Sequence, residues 1–290
     1  MPSALAVVLQ LSLALLVFAV GLQTRDADVA YLWRHPRKLL AGLVAVNLVV
    51  PAVAVAMVLA LPIPPATRAG LVAMSIAPMA PFLPGKMLKL GAAPSYAVGL
   101  YLALSIAAVV FVPASIWLVG RISGREIVLP LVPLARFVLT SVLIPVVAGR
   151  VAGKLCPGAA QRAAKWAARA AFAVISPLIL FMLAKTGGAL AALTGDGTLL
   201  AIAVSVAAGL AVGHVLGGPE RTNRAALANA AIARHPGIAL LVVRANAFER
   251  RSELAVILFL LGSVAASAVY AQVMGRTVTN AAERRPPAAA

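Results

Sequence analysis

The sequence has little charge, little acid and almost no cysteine. Only 11% of its 290 residues are charged, and eight acidic residues face 25 lysines and arginines. The single cysteine, Cys156, excludes an intramolecular disulfide and a metal cluster built from several cysteines. With three histidines and no acid inside any long apolar run, too few groups remain for a membrane-embedded catalytic centre. We therefore expect a protein that is not an enzyme and needs no cofactor or metal ion.

Hydrophobic residues fill most of the chain instead. They make up 62% of it, the mean hydropathy is +1.00, and they form repeated runs of about 20 residues, the length that crosses a bilayer as a helix. The runs lack the alternation of β-barrel strands. The sequence predicts an all-α polytopic membrane protein, one transmembrane domain over 1–290. Its nine transmembrane helices are predicted at 3–23, 39–60, 67–90, 94–119, 127–149, 168–190, 197–217, 224–244 and 253–275.

The distribution of the basic residues behind the net charge of +17 indicates how the chain is oriented in the membrane. Most basic residues lie in loops that follow odd-numbered spans, without interleaved aromatic residues, so no nucleic-acid partner is expected. The positive-inside rule then places the N-terminus outside and the C-terminus in the cytoplasm. We expect a multi-pass protein of the cell membrane, a bacterial inner membrane, surrounded by lipids.

One arginine breaks the pattern. Arg224, Arg234 and Arg244 are spaced ten residues apart, so Arg234 lies about 15 Å from each interface if the outer two mark them. A charge at that depth costs about 3 kcal/mol on insertion scales. Because no span contains an acid, its partner should be a backbone carbonyl, a helix C-terminus or an anionic ligand. The alternative is a purely structural arginine that caps carbonyls exposed near Pro236.

Two proline–glycine pairs interrupt apolar runs. "FLPGKML" contains Pro84–Gly85, and "RHPGIAL" contains Pro236–Gly237. Proline frees a carbonyl one turn back, and glycine permits an unusual backbone. Interrupted helices in corresponding positions of two halves are typical of inverted-repeat transporters with a site near the midplane. We predict two broken helices that cross there; a simple kink is the alternative at either pair.

Other polar residues in the spans complete the predicted substrate-binding set of Arg234, His235, Asn47 and Lys86. His235 could relay a proton near neutral pH or serve only as a hydrogen-bonded packing residue. Lys86 either faces the cavity or extends toward the interface at Lys89. Asn47 is a candidate polar contact in the middle of the second span.

The segment "VGLQTRDADVAYLWRHPRKLLAGLVAVNLVVPAVAVAMVLALP" resembles the second and third helices of the bile acid:sodium symporter family. The resemblance extends from Gly21 to about Gly275. It implies a fold of two inverted repeats that forms a core and a panel domain. The substrate would be a small or amphipathic organic anion, carried between these domains by alternating access. We expect spans 67–90, 94–119, 224–244 and 253–275 in the core. The panel would hold 3–23, 39–60, 127–149, 168–190 and 197–217.

The family's sodium-binding side chains are not retained. The family's "CCPGGTASN" corresponds to "APMAPFLPGKM", with Pro84 and Gly85 at the ligand positions, and its "EVGMQNSG" to "AAIARHPG". The remaining ligand positions hold Ala230, Arg234, His235, Val46, Val98 and Leu102. Cationic side chains there would repel sodium. We predict that Arg234, with Lys86, takes the place of sodium, and that transport is proton-coupled or uniport.

Three other functions are weighed against this one. A sodium-coupled organic anion symporter is the first, and a transport-inactive membrane scaffold or sensor, which fits the lost ligands, is the second. A sodium/proton antiporter of related architecture would need an acid at the midplane, and no span provides one.

Overall fold

The computed structural model describes residues 4–124, 126–128, 131–191, 193, 197–246 and 248–283. Residue 3, where the first predicted span begins, lies outside them. Over the described residues the chain is helical, which confirms the all-α prediction. The helices are α1 (Ala4–Gln23), α2 (Asp26–Ala30), α3 (Pro36–Leu43), α4 (Val50–Ala60), α5 (Pro65–Ile76), α6 (Leu83–Lys89), α7 (Pro94–Ser123), α8 (Leu131–Val138), α9 (Ile144–Leu155), α10 (Pro157–Ala191), α11 (Thr198–Leu216), α12 (Arg221–Ile232), α13 (Pro236–Ala245) and α14 (Arg250–Glu283). Two π-helical segments, Val44–Val49 and Leu139–Leu143, join α3 to α4 and α8 to α9.

Several of these helices are long and apolar enough to cross a membrane. Among the described residues five qualify, at Pro36–Ala60, Pro94–Ser123, Leu134–Leu155, Thr198–Leu216 and Arg250–Met274. The chain is therefore a multi-pass membrane protein, and the count of nine spans stays a prediction. Two of the predicted spans, 67–90 and 224–244, each consist of two short helices with a linker between them.

The first broken helix is interrupted earlier than the sequence predicts. α5 stops at Ile76 because Pro78 follows Ala77 and disfavours its helical conformation, and Ala77 is extended, with φ −60° and ψ 145°. α6 then begins at Leu83 with Pro84 in its first turn, where a missing N–H leaves no hydrogen bond unmade. The predicted break at Pro84–Gly85 is thus corrected to residues 77–82, since this proline starts a helix.

The second broken helix follows the same rule. α12 ends at Ile232, and α13 begins at Pro236, which again occupies the first turn of a helix. His235 precedes this proline and has φ −84° and ψ 103°, outside the helical region. The Pro236–Gly237 pair therefore opens α13 directly after the break.

The two linkers cross and pair with each other. Met79 and Arg234 form an isolated antiparallel bridge. The Ala80 N–H donates to the Ala233 carbonyl at 3.0 Å, and the His235 N–H donates to the Pro78 carbonyl at 2.8 Å. Backbone groups that the breaks release are in this way satisfied where no water competes. The buried apolar residues form two large clusters, and the crossing contributes to both of them.

Helix packing divides the molecule into two groups. α1 packs along α9 and α10, and a Cβ atom added to Gly149 would lie 2.2 Å from the Phe18 carbonyl oxygen. α11 instead packs against α12 and α4, while α14 and α13 pack on α5. Spans 39–60 and 197–217, which the sequence predicts for the panel, thus lie against the broken helices. The division into core and panel stays a prediction.

The tight contact between α11 and α12 is testable at Gly213. A Cβ atom there would lie 2.5 Å from the Ala228 Cα, so Gly213→Ala forces the two helices apart and should destabilise the protein by about 1–3 kcal/mol. The measurement is thermal unfolding in detergent. Gly158→Ala in α10 is the control, because no atom lies within 4 Å of its added Cβ, and its stability should be unchanged or higher. Equal effects of the two substitutions would contradict the packing described.

Candidate functional site

The Arg234 guanidinium lies at the crossing and binds three backbone carbonyls. Its side chain is almost fully buried, with 1% of its surface exposed. Nε donates to the Ala231 carbonyl at 3.1 Å, Nη1 to Ala77 at 3.2 Å and Nη2 to Val46 at 2.5 Å. These carbonyls belong to the end of α12, the end of α5 and the π-helical segment Val44–Val49. One cation thus joins three separate parts of the chain.

Helix dipoles explain how this charge is tolerated without a carboxylate. The C-terminus of a helix carries about half a negative elementary charge, and the ends of α5 and α12 both meet Arg234. Together the two ends supply about one negative charge. A π-helical turn is wider than an α-helical one and commonly occurs at functional sites, and here its Val46 carbonyl accepts from the guanidinium.

His235 lies beside Arg234 and caps α13. It is buried, its N–H donates to Pro78, and its Nδ1 accepts from the Gly237 N–H at 3.2 Å. This contact fits the hydrogen-bonded packing alternative. Its role as a substrate ligand or proton relay stays a prediction.

Asn47 follows Val46 in the π-helical segment. Its side chain is partly buried, and its Nδ2 atom has no hydrogen-bond partner among the described residues. A buried amide donor without a partner costs about 1–3 kcal/mol, so a ligand that accepts from it would gain affinity. Asn47 therefore offers a ligand a buried donor that no described residue satisfies.

Lys86 takes part in a separate polar chain. Its Nζ donates to the Ser267 Oγ on α14, which donates to the Asn229 Oδ1 on α12. Asn229 Nδ2 in turn donates to the Ala225 carbonyl at 2.8 Å. Sequence reasoning did not single out Asn229 or Ser267, although Asn229 is the one polar residue of the stretch "AALANAAIA".

A cavity of about 890 Å³ opens between the two helix groups. Its walls come from α1, α9 and α10 on one side and from α2, α6 and α7 on the other, and Val98 lines it. Arg25, Arg150 and Lys154 contribute three positive charges against one acid, Asp28. Its lining includes none of the four predicted substrate-binding residues. We name this cavity the basic crevice; its net charge favours an anion.

The carbonyls of Ala77, Ala231 and Val46, which we name the carbonyl cage, predict the stability of Arg234 variants. Arg234→Met retains an unbranched side chain but removes the charge and the N–H donors, which leaves buried carbonyls unsatisfied and two helix ends facing each other. The loss should be about 3 kcal/mol or more, measured as thermal unfolding in detergent. Arg136→Met is the control, because Arg136 is exposed, and it should change stability little. A wild-type melting temperature for Arg234→Met would show that the cage does not hold the crossing.

The comparisons with known proteins bear on the first two thirds of this architecture. A family model described as the sodium bile acid symporter family matches residues 10–193, which is well over half of the chain. No curated protein matches the chain. The matched region contains Asn47, Lys86 and the first broken helix, and it ends before α11. The match confirms the resemblance deduced from the sequence: the chain belongs to the sodium bile acid symporter family.

Proposed function

We propose that the protein is a secondary transporter that carries a small or amphipathic organic anion by alternating access and without sodium. Family membership supports the general part, a membrane transporter of organic anions. Sodium independence is supported by one observation, the guanidinium of Arg234 held by carbonyls from α5, α12 and the π-helical segment.

The physical reason lies in what sodium needs. Interrupted-helix transporters coordinate their ions with unwound backbone carbonyls and half-helix C-termini. At this crossing the same kinds of group already bind Arg234. A sodium ion 4 Å from the guanidinium would be repelled by about 4 kcal/mol at an effective dielectric constant of 20. Arg234 therefore acts as a resident cation that keeps the crossing intact through the cycle.

The substrate would bind in the basic crevice. The crevice separates α1 and α8–α10, which we propose as the panel, from the remaining helices, which would form the core. Rocking of one group against the other would expose the anion to alternate sides of the membrane. Asn47 would contribute a hydrogen bond near the crossing, and Lys86 is the candidate proton carrier if transport is proton-coupled. The proposal includes nine crossings in two inverted repeats, with the N-terminus outside.

Uptake into proteoliposomes tests the coupling. Organic anions of graded size would be offered to the wild-type protein, with sodium replaced by choline and the pH gradient varied separately. We expect uptake at equal rates in sodium and choline, because the cation site is already filled. Strict dependence on sodium would instead identify a sodium-coupled symporter. Absence of uptake or binding for every anion would favour the scaffold or sensor.

The same reasoning predicts a gain of sodium response in a variant. Arg234→Ala empties the carbonyl cage, so sodium should raise the melting temperature of this variant and leave that of the wild-type protein unchanged. Thermal unfolding in sodium, lithium and choline chloride at equal ionic strength measures this. Arg136→Ala is the matched control and should show no sodium response. A variant that is destabilised yet indifferent to sodium would return Arg234 to a purely structural role.

If the substrate binds in the basic crevice, its apparent affinity should depend on the basic side chains that line it. Lys154→Gln removes one positive charge from its lining and should raise the KM for an anion about tenfold at low salt, with a smaller effect at high salt. Lys165→Gln is the control, because this exposed lysine on α10 is outside the lining. Equal KM values for the two variants would place the substrate elsewhere.

A further inference from the structure

A second cavity lies apart from both the crossing and the basic crevice. It has a volume of about 470 Å³ and is walled by α4, α5, α7 and α13. Its lining is mainly aliphatic, with Leu59, Val72, Ile76, Ile116 and Val242 among its members. Arg68 is the one charged residue of this lining, so the cavity is an apolar slot with a single positive charge.

Arg68 is fixed at one end of the slot. It lies in the first turn of α5, where its Nε donates to the Ile63 carbonyl at 2.8 Å. This bond leaves the Nη groups of the fork for a ligand, and no acidic side chain lines the slot to compete for them. A guanidinium binds phosphate or carboxylate oxygens in pairs. The charge at this end therefore matches an anionic head group.

The length of the slot matches one acyl chain. Arg68, Val72 and Ile76 lie on successive turns of α5 and all line it, so it runs about 12 Å along this helix from Arg68. α5 begins at Pro65 and ends beside the crossing, and half of a hydrocarbon core measures about 15 Å. The apolar part thus extends from one membrane surface toward the midplane, as the chain of a lipid in one leaflet does.

We propose that this slot binds one anionic phospholipid, whose phosphate pairs with Arg68 and whose acyl chain lies along α5. The mainly apolar lining holds few polar groups with which to recognise a larger organic head group, which separates this site from the basic crevice. The site does not depend on the proposed transport function. Its occupant contacts α5, at whose C-terminal end the Ala77 carbonyl binds Arg234.

Lipid binding to the purified full-length protein tests the proposal. Native mass spectrometry would count phosphatidylglycerol and phosphatidylcholine of identical acyl chains bound in mixed micelles. We expect phosphatidylglycerol to bind about fivefold more tightly, as one basic residue near the surface provides. Arg68→Gln should abolish this preference. Arg121→Gln is the control, because Arg121 stacks on Trp117 at the end of α7 and lies outside the slot, and it should retain the preference.

Two further variants separate recognition from folding. Arg68→Lys keeps the charge and loses the Nε–H that bonds to the Ile63 carbonyl, so it should retain most of the preference. Ala69→Phe fills the slot and should reduce the binding of both lipids. An unchanged preference in Arg68→Gln would overturn the proposal, as would equal losses in Arg68→Lys and Arg68→Gln. One-for-one displacement of phosphatidylglycerol by oleate, with the same dependence on Arg68, would instead identify a free fatty acid as the occupant.

Discussion

Two helix C-termini cannot meet in the middle of a membrane unless a positive charge lies between them. At the crossing that charge is the guanidinium of Arg234, and the carbonyls of Ala77 and Ala231 both accept from it. Without it the two negative helix ends would repel each other where water cannot screen them. The meeting of the two helix ends with the π-helical segment that presents Val46 depends on this one contact.

The prolines interrupt the helices, and Arg234 satisfies carbonyls at the helix ends that the interruptions leave. Pro78 and Pro236 end or begin helices and so release backbone groups, and the linkers satisfy some of these by pairing with each other. The released carbonyls at the helix ends still need donors. A guanidinium offers five N–H groups in a fixed plane and can therefore bind carbonyls from three directions, which the ammonium of a lysine cannot do in the same geometry.

Much of this arrangement could be predicted from the sequence, and the parts that could not be predicted have physical reasons. Proline–glycine pairs in apolar runs predict broken helices. The absence of acid limits the predicted partner of Arg234 to a backbone carbonyl, a helix C-terminus or an anionic ligand. The break before α6 was misplaced because Pro84 starts a helix, and a sequence pattern alone does not distinguish this from ending one. The Arg234 Nη2 donates to the carbonyl of Val46, 188 residues away. Every residue has a backbone carbonyl, so the sequence does not indicate which one would accept this bond. The bond between Lys86 and Ser267 likewise depends on how α6 and α14 pack.

A cation that is part of the chain differs from a bound ion in one respect: it never dissociates. If the core moves across the membrane field with Arg234 in place, the same charge travels outward and back in each cycle, and its electrical work cancels. Only the anion, together with any coupled proton, then moves net charge, at about 2.3 kcal/mol per elementary charge per 100 mV. If transport is sodium-independent, as we propose, no sodium gradient drives it. The membrane potential would act on the anion directly and, where the interior is negative, would favour its exit.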